Sequence, residues 1–401
     1  MRRAGLVGPR RLSGMTEPLR IAVPIHSFEP GGVERVALNL ALQWQGTGHH
    51  VAIVLGRNEG LDRDNSPPGL NYYTRPKVLL PASLEGLWMI WCLFRYLLRE
   101  RVDVIFCPGN TYTVVCVAMK IVFGKRCPPV VVKVSNDLVR ADKRPFRRAM
   151  YRIWLKINGL ALEHFVGLAE PMSSEIVDRM GVMAQRVTTI HDPALDQCRL
   201  DRLLTAERQK PVGRPLRYVA VGRLAPQKNF SLLLRAFAAG ARPDDCLVIV
   251  GDGGKRTSLE AEVCRLGLTG RVTFVGHVGS PDPYYLSADC LILSSHYEGV
   301  PAVVIEAIAA GLPVIATNCA ASMEMLLGNG TRGVLVPVND LDALAAAIAS
   351  PESLPNPCWT ARNFAARFTL EEAALSYLRV MGQAIGKSQP AQSRHSATMA
   401  R

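Results

Sequence analysis

Two stretches of this 401-residue chain hold charged side chains that could act together. In VGRLAPQKN (221–229), Gly222 closes an apolar run, and Arg223 and Lys228 follow on a short loop that leads into a helical pattern. A strand-to-helix turn with two cations suits a diphosphate, because helix N-terminal amides and cationic side chains both attract anions. The same segment also reads as a solvated loop with incidental charge. In HYEGVPAVVIEAIAAG (296–311), Glu298 falls on a loop after an apolar run, and Gly299 and Pro301 then open a helix that carries Glu306. Glu306 is flanked by Val303, Val304, Ile305, Ala307 and Ile308. A carboxylate in such surroundings costs on the order of several kcal/mol unless it is paired or hydrogen-bonded. Two vicinal hydroxyls, as on a ribose, would serve; so would a buried arginine or lysine.

These residues need a scaffold, and the chain supplies an alternating one. Apolar β-rich runs at 19–25, 50–55, 102–107, 130–134 and 164–168, then at 216–222, 246–251, 271–276, 289–294, 312–318 and 333–337, read as buried strands. Helical patterns fall between them, near 33–44, 229–238, 255–266, 301–310 and 340–349. Such alternation is the mark of parallel α/β architecture. The polar segment 191–216, with three prolines, reads as a hinge. The expected division is an extension at 1–18, a first Rossmann-like domain at 19–195, a second at 196–386 whose final helix packs back on the first, and a tail at 387–401. Both ends read as disordered. Two such domains with parallel sheets facing across a cleft would bring the carboxyl ends of their strands together.

Composition narrows the class. At 48% hydrophobic residues the chain can bury two cores. The formal net charge of +13 is uneven: residues 1–200 hold 27 Lys and Arg against 17 Asp and Glu. A basic first half suggests that the two domains meet different partners. The ten cysteines are scattered singly with no CxxC pair, which argues against zinc and against a disulfide framework and for buried thiols in a reducing cytoplasm. The N-terminus is basic but lacks the apolar stretch of a signal peptide. The most apolar segment, 84–98, is broken by Glu85 and Arg95 and is too short to span a membrane.

Six pieces carry a resemblance: GGVER (31–35), GRLAPQKN (222–229), GDGG (251–254), FVGHV (274–278), EGVPAVVIEA (298–307) and GLPVIAT (311–317). Their order and spacing resemble the family 4 retaining glycosyltransferases of the GT-B fold, over most of residues 19–385. GGVER is similar to members that build bacterial surface polysaccharides and lipid-linked glycans. The resemblance implies a nucleotide-sugar donor, no metal or other cofactor, and a glycan or polyprenyl-phosphate-linked acceptor. It assigns Arg223 and Lys228 to the donor diphosphate, Glu306 to the ribose hydroxyls and Glu298 to the transferred sugar. Gly31 and Gly32 would approach the phosphate from the first domain, Val275 and His277 would bracket the base, and Val300 and Val303 complete the donor-binding set. Many relatives place a histidine after the strand that is VVVKV here, where this chain has Ser135-Asn136-Asp137. Asp137 and Asn110 are therefore candidates on the acceptor side.

Other features compete for attention. Asp62-Arg63-Asp64 matches a metal-binding Asp-x-Asp, but no apolar strand leads into it. RADKRPFRRAMYRIWLK (140–156) holds seven cations and one acid with aromatic residues interleaved. A basic, aromatic helix suits an anionic membrane surface, which implies a cytoplasmic protein held peripherally at the inner face of the cytoplasmic membrane; a solvated basic face is the plainer reading. A sugar-nucleotide epimerase would share the fold. A nucleic-acid-binding protein would explain the charge, but no recognition module appears and aromatic residues are only 6%. No nucleic-acid partner is expected.

Overall fold

A computed structural model describes residues 17–29, 32–60, 63, 66–74, 85–135, 138, 145–205, 214–355 and 363–388. Nearly all of the expected N-terminal extension, the Asp-x-Asp acids and nearly all of the expected tail lie outside these residues. So does most of the expected hinge beyond Thr205.

The chain forms two compact units. The first takes the chain up to Leu168, Ser173–Ile190 and the chain from Ala373; the second takes Ala169–Met172 and His191–Glu372. The second unit thus begins before residue 196, and the segment read as a hinge carries a helix of that unit, Gln197–Thr205.

The first unit is built on β1 (Arg20–Ile25), β2 (His50–Leu55), β3 (Asn71–Tyr73), β4 (Val104–Cys107), β5 (Val130–Lys133), β6 (His164–Gly167) and β7 (Val187–Thr189). Its helices are α1 (Gly32–Gly46), α2 (Glu85–Leu97), α3 (Thr113–Phe123), α4 (Pro145–Ala161) and, from Ser173, α5 (Glu170–Met180). All paired strands run parallel, in the order β3-β2-β1-β4-β5-β6-β7. Central strands such as β4 and β5 are buried at every residue, as a sheet covered on both faces requires. The short edge strands β3 and β7 carry no long apolar run, which is why sequence reading passes over them.

The second unit holds α6 (Gln197–Thr205), β8 (Arg217–Val221), α7 (Phe230–Gly240), β9 (Cys246–Val250), α8 (Arg256–Arg265), β10 (Val272–Gly276) and α9 (Asp282–Ser287). It continues with β11 (Cys290–Leu293), α10 (Ala302–Ala309), β12 (Val314–Thr317), α11 (Met323–Leu327), β13 (Gly333–Val336) and α12 (Leu341–Ala349). This sheet is also parallel, in the order β10-β9-β8-β11-β12-β13. Strand order therefore reverses between β1 and β4 in one unit and between β8 and β11 in the other. Ligands of open α/β sheets bind beyond the strand carboxyl ends at such reversals.

The last helix, α13 (Leu370–Ser388), joins the first unit from Ala373. There Trp44 of α1 donates its indole N–H to the Ala374 carbonyl at 3.0 Å, and Tyr377 packs against Trp44 and Phe106. A buried indole that finds an acceptor keeps its apolar contribution without a polar penalty. The cysteine reading needs amendment: six described cysteines are buried, but Cys198 and Cys264 are exposed on helix surfaces.

Candidate active site

The reversal in the second unit gathers the sequence's charged residues. Past β8, the loop 222–228 lies directly on the loop after β9. The Gly222 N–H donates to the Val250 carbonyl, the Leu224 N–H to the Asp252 carbonyl, and the Lys255 N–H returns to Leu224. A Cβ at Gly251 would lie 2.1 Å from the Gly222 carbonyl oxygen, so GDGG is glycine where two backbones touch. Leu224 anchors the loop in the core and leaves Arg223 exposed. Among the described residues Arg223 has no ion pair. Asn229, in the left-handed region at φ 48°, turns the chain into α7.

Lys228 is differently placed. Its Nζ lies 2.6 Å from Glu298 Oε1, in a pair with side chains 19% and 10% exposed. The Ser295 hydroxyl donates to the same oxygen at 2.7 Å, and the Ser294 hydroxyl donates to the Lys228 carbonyl at 2.9 Å. The Glu298 N–H donates to the Cys319 carbonyl, which ties the loop after β11 to the loop after β12. Two residues that sequence reading gave to separate parts of a donor are thus one ion pair.

Glu306 sits on α10 and is 3% exposed. Its Oε1 accepts from Arg199 Nη1 at 2.9 Å, and its Oε2 accepts from the Tyr285 hydroxyl at 2.7 Å. Arg199, on α6, also donates to Asp282 Oδ1 through Nε at 2.8 Å and Nη2 at 2.6 Å. Burial works against the Arg199 charge, but Glu306 and Asp282 outweigh it and hold its pKa above the usual arginine value. Burial, reinforced by Glu306, raises the Tyr285 pKa. Of the two partners open to a buried glutamate, the arginine is the one present. Neither Arg199 nor Tyr285 nor Asp282 belongs to a recognisable motif; the only signal was that Glu306 must have a partner.

The remaining candidates scatter in character. Val275 and Val303 are half-buried, Val300 is buried, and His277 is exposed. Gly32 opens α1 with no atom within 4 Å of where its Cβ would be, so nothing in the protein itself demands glycine there. Gly31, Asn136 and Asp137 lie outside the described residues. Asn110, after β4, accepts the Ser135 N–H on its Oδ1 at 3.1 Å and faces the Tyr151 hydroxyl at 3.4 Å. It is a staple between loops. Among the described residues no group of three or more His, Cys, Asp or Glu could hold a metal ion.

Two parallel α/β sheets, each with its polar groups at the strand reversal, define the GT-B class of fold. Solved structures carry the same fold: HepE of Anabaena, in complex with UDP and glucose, aligns with a TM-score of 0.71 at 19% identity over 91% of this chain and 99% of that one. The family model described as Glycosyltransferase Family 4 matches residues 30–193, and the model described as Glycosyl transferases group 1 matches residues 205–367. The chain thus carries a Glycosyltransferase Family 4 domain followed by a Glycosyl transferases group 1 domain. A lipopolysaccharide core biosynthesis glycosyltransferase of Rhizobium meliloti, LpsE, is 30% identical over 39% of this chain and 42% of its own length. An N-acetylgalactosaminyltransferase of Campylobacter jejuni, whose name specifies a diphospho-undecaprenol acceptor, is 32% identical over 31% of this chain and 34% of its own. The matched stretches thus span less than half of these curated relatives.

Proposed function

We propose that this protein transfers a sugar, with retention of anomeric configuration, from a nucleotide diphosphate sugar to a hydroxyl of a glycan or polyprenyl-linked acceptor in polysaccharide or cell-envelope biosynthesis. The observation that carries this reading is the gathering of Arg223, Lys228 and Glu298 on the loops after β8 and β11, at the reversal of the second sheet. In the reaction the anomeric carbon leaves the diphosphate oxygen and bonds to the acceptor oxygen. The acceptor proton passes to the departing phosphate on the same face. Negative charge grows on the diphosphate as the bond breaks, and Arg223 and Lys228 stabilise it without a metal. An incoming diphosphate competes with Glu298 for Lys228, which releases the Glu298 carboxylate to hydroxyls of the transferred sugar. Glu306 would hold the ribose through acceptor positions left free: a carboxylate offers about four, and Arg199 and Tyr285 use one each.

The acceptor reading extends to a membrane surface. On α4, Phe146, Met150, Ile153, Ile157 and Leu160 are exposed, Leu160 to 88% and Phe146 to 77%. Their spacing puts them on one stripe, flanked by exposed Arg147, Arg152 and Lys156. This stripe is apolar where sequence reading had the cations as the organising feature; Trp154 is instead turned to Thr113 of α3. The neighbouring α2 and α3 add exposed Leu87, Trp91 and Ile121. An apolar stripe with cationic flanks fits anionic lipid, with the protein held peripherally at the inner face of the cytoplasmic membrane. No described helix is long and apolar enough to cross a membrane. Neither the epimerase nor the nucleic-acid reading gains an observation in its favour.

The test is a panel of UDP-, GDP- and ADP-sugars, with binding and slow donor hydrolysis as readouts. Binding and turnover of one of them is expected; failure to bind any ends the proposal.

A further inference from the structure

The reversal of the first sheet, between β1 and β4, holds a polar site of which only Glu34, within GGVER, falls in one of the six motifs. His26 follows β1 directly, and its ring stacks on Tyr112, which follows β4, with centroids 4.7 Å apart and planes 25° from parallel. Tyr112 is fully buried, so the platform is fixed. Its hydroxyl accepts the His26 N–H at 3.2 Å and donates to Glu34 Oε1 on the first turn of α1 at 2.8 Å. The His26 carbonyl accepts the Arg57 N–H at 2.7 Å. Both backbone groups of His26 are therefore clamped. Gly56 packs so close that a Cβ there would lie 2.9 Å from the same carbonyl oxygen.

The ring itself is less satisfied. Its Nδ1 is enclosed and has no hydrogen-bond partner among the described residues, while Nε2 is not among the enclosed unpartnered atoms. An enclosed, unpaired ring nitrogen is a cost that folding alone does not explain. It also leaves the tautomer unfixed, because the bond made by one imidazole nitrogen sets the role of the other. Nε2 can then accept from a hydroxyl or donate to one. The charged groups around the ring are Glu34 on α1, Glu85 on α2 and Arg57 after β2; Arg57 and Glu85 form a pair at 2.5 Å. Burial is the largest influence and lowers the pKa below 6.5, so the ring is neutral at pH 7. A neutral ring favours a hydroxyl over a phosphate.

We infer that His26 is an acceptor-recognition residue: its imidazole, held by Tyr112 and Glu34 at the strand reversal of the first unit, hydrogen-bonds a hydroxyl of a sugar or polyol acceptor. Tyr112 and Glu34 are positioning residues. The inference rests on the transferase reading and supplies the acceptor side that Ser135 and its neighbours leave open.

Octyl monosaccharide glycosides serve as the acceptor probe, with the full chain and the donor found in the nucleotide-sugar panel. His26→Ala is expected to lower kcat/KM for the glycoside at least tenfold and to leave donor Kd and donor hydrolysis within twofold of wild type. His26→Gln should recover part of the loss, as one amide can replace one hydrogen bond. The wild-type acceptor kcat/KM should fall as pH drops below 6.5, and His26→Gln should lack that limb. In 15N-histidine-labelled protein, the His26 ring signals, assigned by their loss in His26→Gln, should shift with the glycosides and not with inorganic phosphate. Unchanged acceptor kinetics in His26→Ala, an equal loss of donor binding, a shift with phosphate, or no shift with any glycoside overturns the inference. A wild-type protein that binds no donor would instead remove the transferase reading.

Discussion

The two sheet reversals are built from opposite chemistry. In the second unit the reversal is ionic and internally neutralised: Lys228 is tied to Glu298, and Arg199 to Glu306 and Asp282, with Arg223 left exposed. In the first unit it is centred on a neutral aromatic pair with charge at its rim: His26 lies on Tyr112, Tyr112 bonds to Glu34, Arg57 pairs with Glu85, and Asn110 joins two loops. One architecture thus offers two kinds of binding chemistry. A leaving group that gains charge wants cations held ready. A hydroxyl nucleophile wants a neutral, oriented hydrogen-bonding group. Half-buried ion pairs keep such cations in place before the ligand arrives, because an unpaired charge there would be costly.

The comparison breaks most readily on the ionic side. Arg223→Ala and Lys228→Ala are each expected to cut turnover by about a hundredfold, the scale of losing one partner of transition-state charge. Steady-state rates at saturating donor check this, and wild-type rates would move the donor site elsewhere. Glu306→Ala should cost about as much in turnover through lost ribose contact. It should also destabilise the second unit by about 1–3 kcal/mol, because Arg199 keeps only Asp282 as a carboxylate partner and the buried Tyr285 hydroxyl loses its acceptor. Adding Arg199→Met should restore neither the stability nor the turnover, because Asp282 then loses the guanidinium that pairs it. Thermal melts beside rates separate the two effects.

Smaller effects sharpen the contrast on the other side. Only the first unit presents the apolar stripe of α4, so Ile153→Asp should weaken co-sedimentation with anionic liposomes and leave donor binding unchanged. Removing a flanking cation, as in Lys156→Gln, should cost about fivefold in liposome affinity at low salt, near 1 kcal/mol per charge. Full binding by both variants would return the helix to a solvated face. The smallest effect concerns stability. The folded His26 ring binds its proton more weakly than the unfolded one, so below pH 6.5 the unfolded chain takes up a proton that the native ring resists. Its contribution is intact above pH 6.5 and is lost as pH falls through that value toward the lowered native pKa. Denaturant midpoints between pH 7 and 5 should fall less in His26→Gln than in wild type.

Much of the architecture was legible in the residues alone. Runs such as VIFC and VVVK, buried at every position, announce covered parallel strands, and the glycines and prolines between them announce turns. Strands β3 and β7 were not legible, because three residues at a sheet edge carry too little apolar pattern. Arg223, Lys228, Glu298 and Glu306 were visible because chemistry and spacing coincide within short segments. Their partners were not. Lys228 meets Glu298 across 70 residues, Arg199 meets Glu306 across 107, and His26 meets Tyr112 across 86. Periodicity speaks only for neighbours along the chain, whereas these pairs are set by which strands lie side by side. Residue order alone therefore announced the kind of fold and the charged half of the candidate site. Which charges neutralise one another, and that a histidine just past the first strand rests on a buried tyrosine, follow only from the folded chain, because strand order alone brings those distant loops to one end of a sheet.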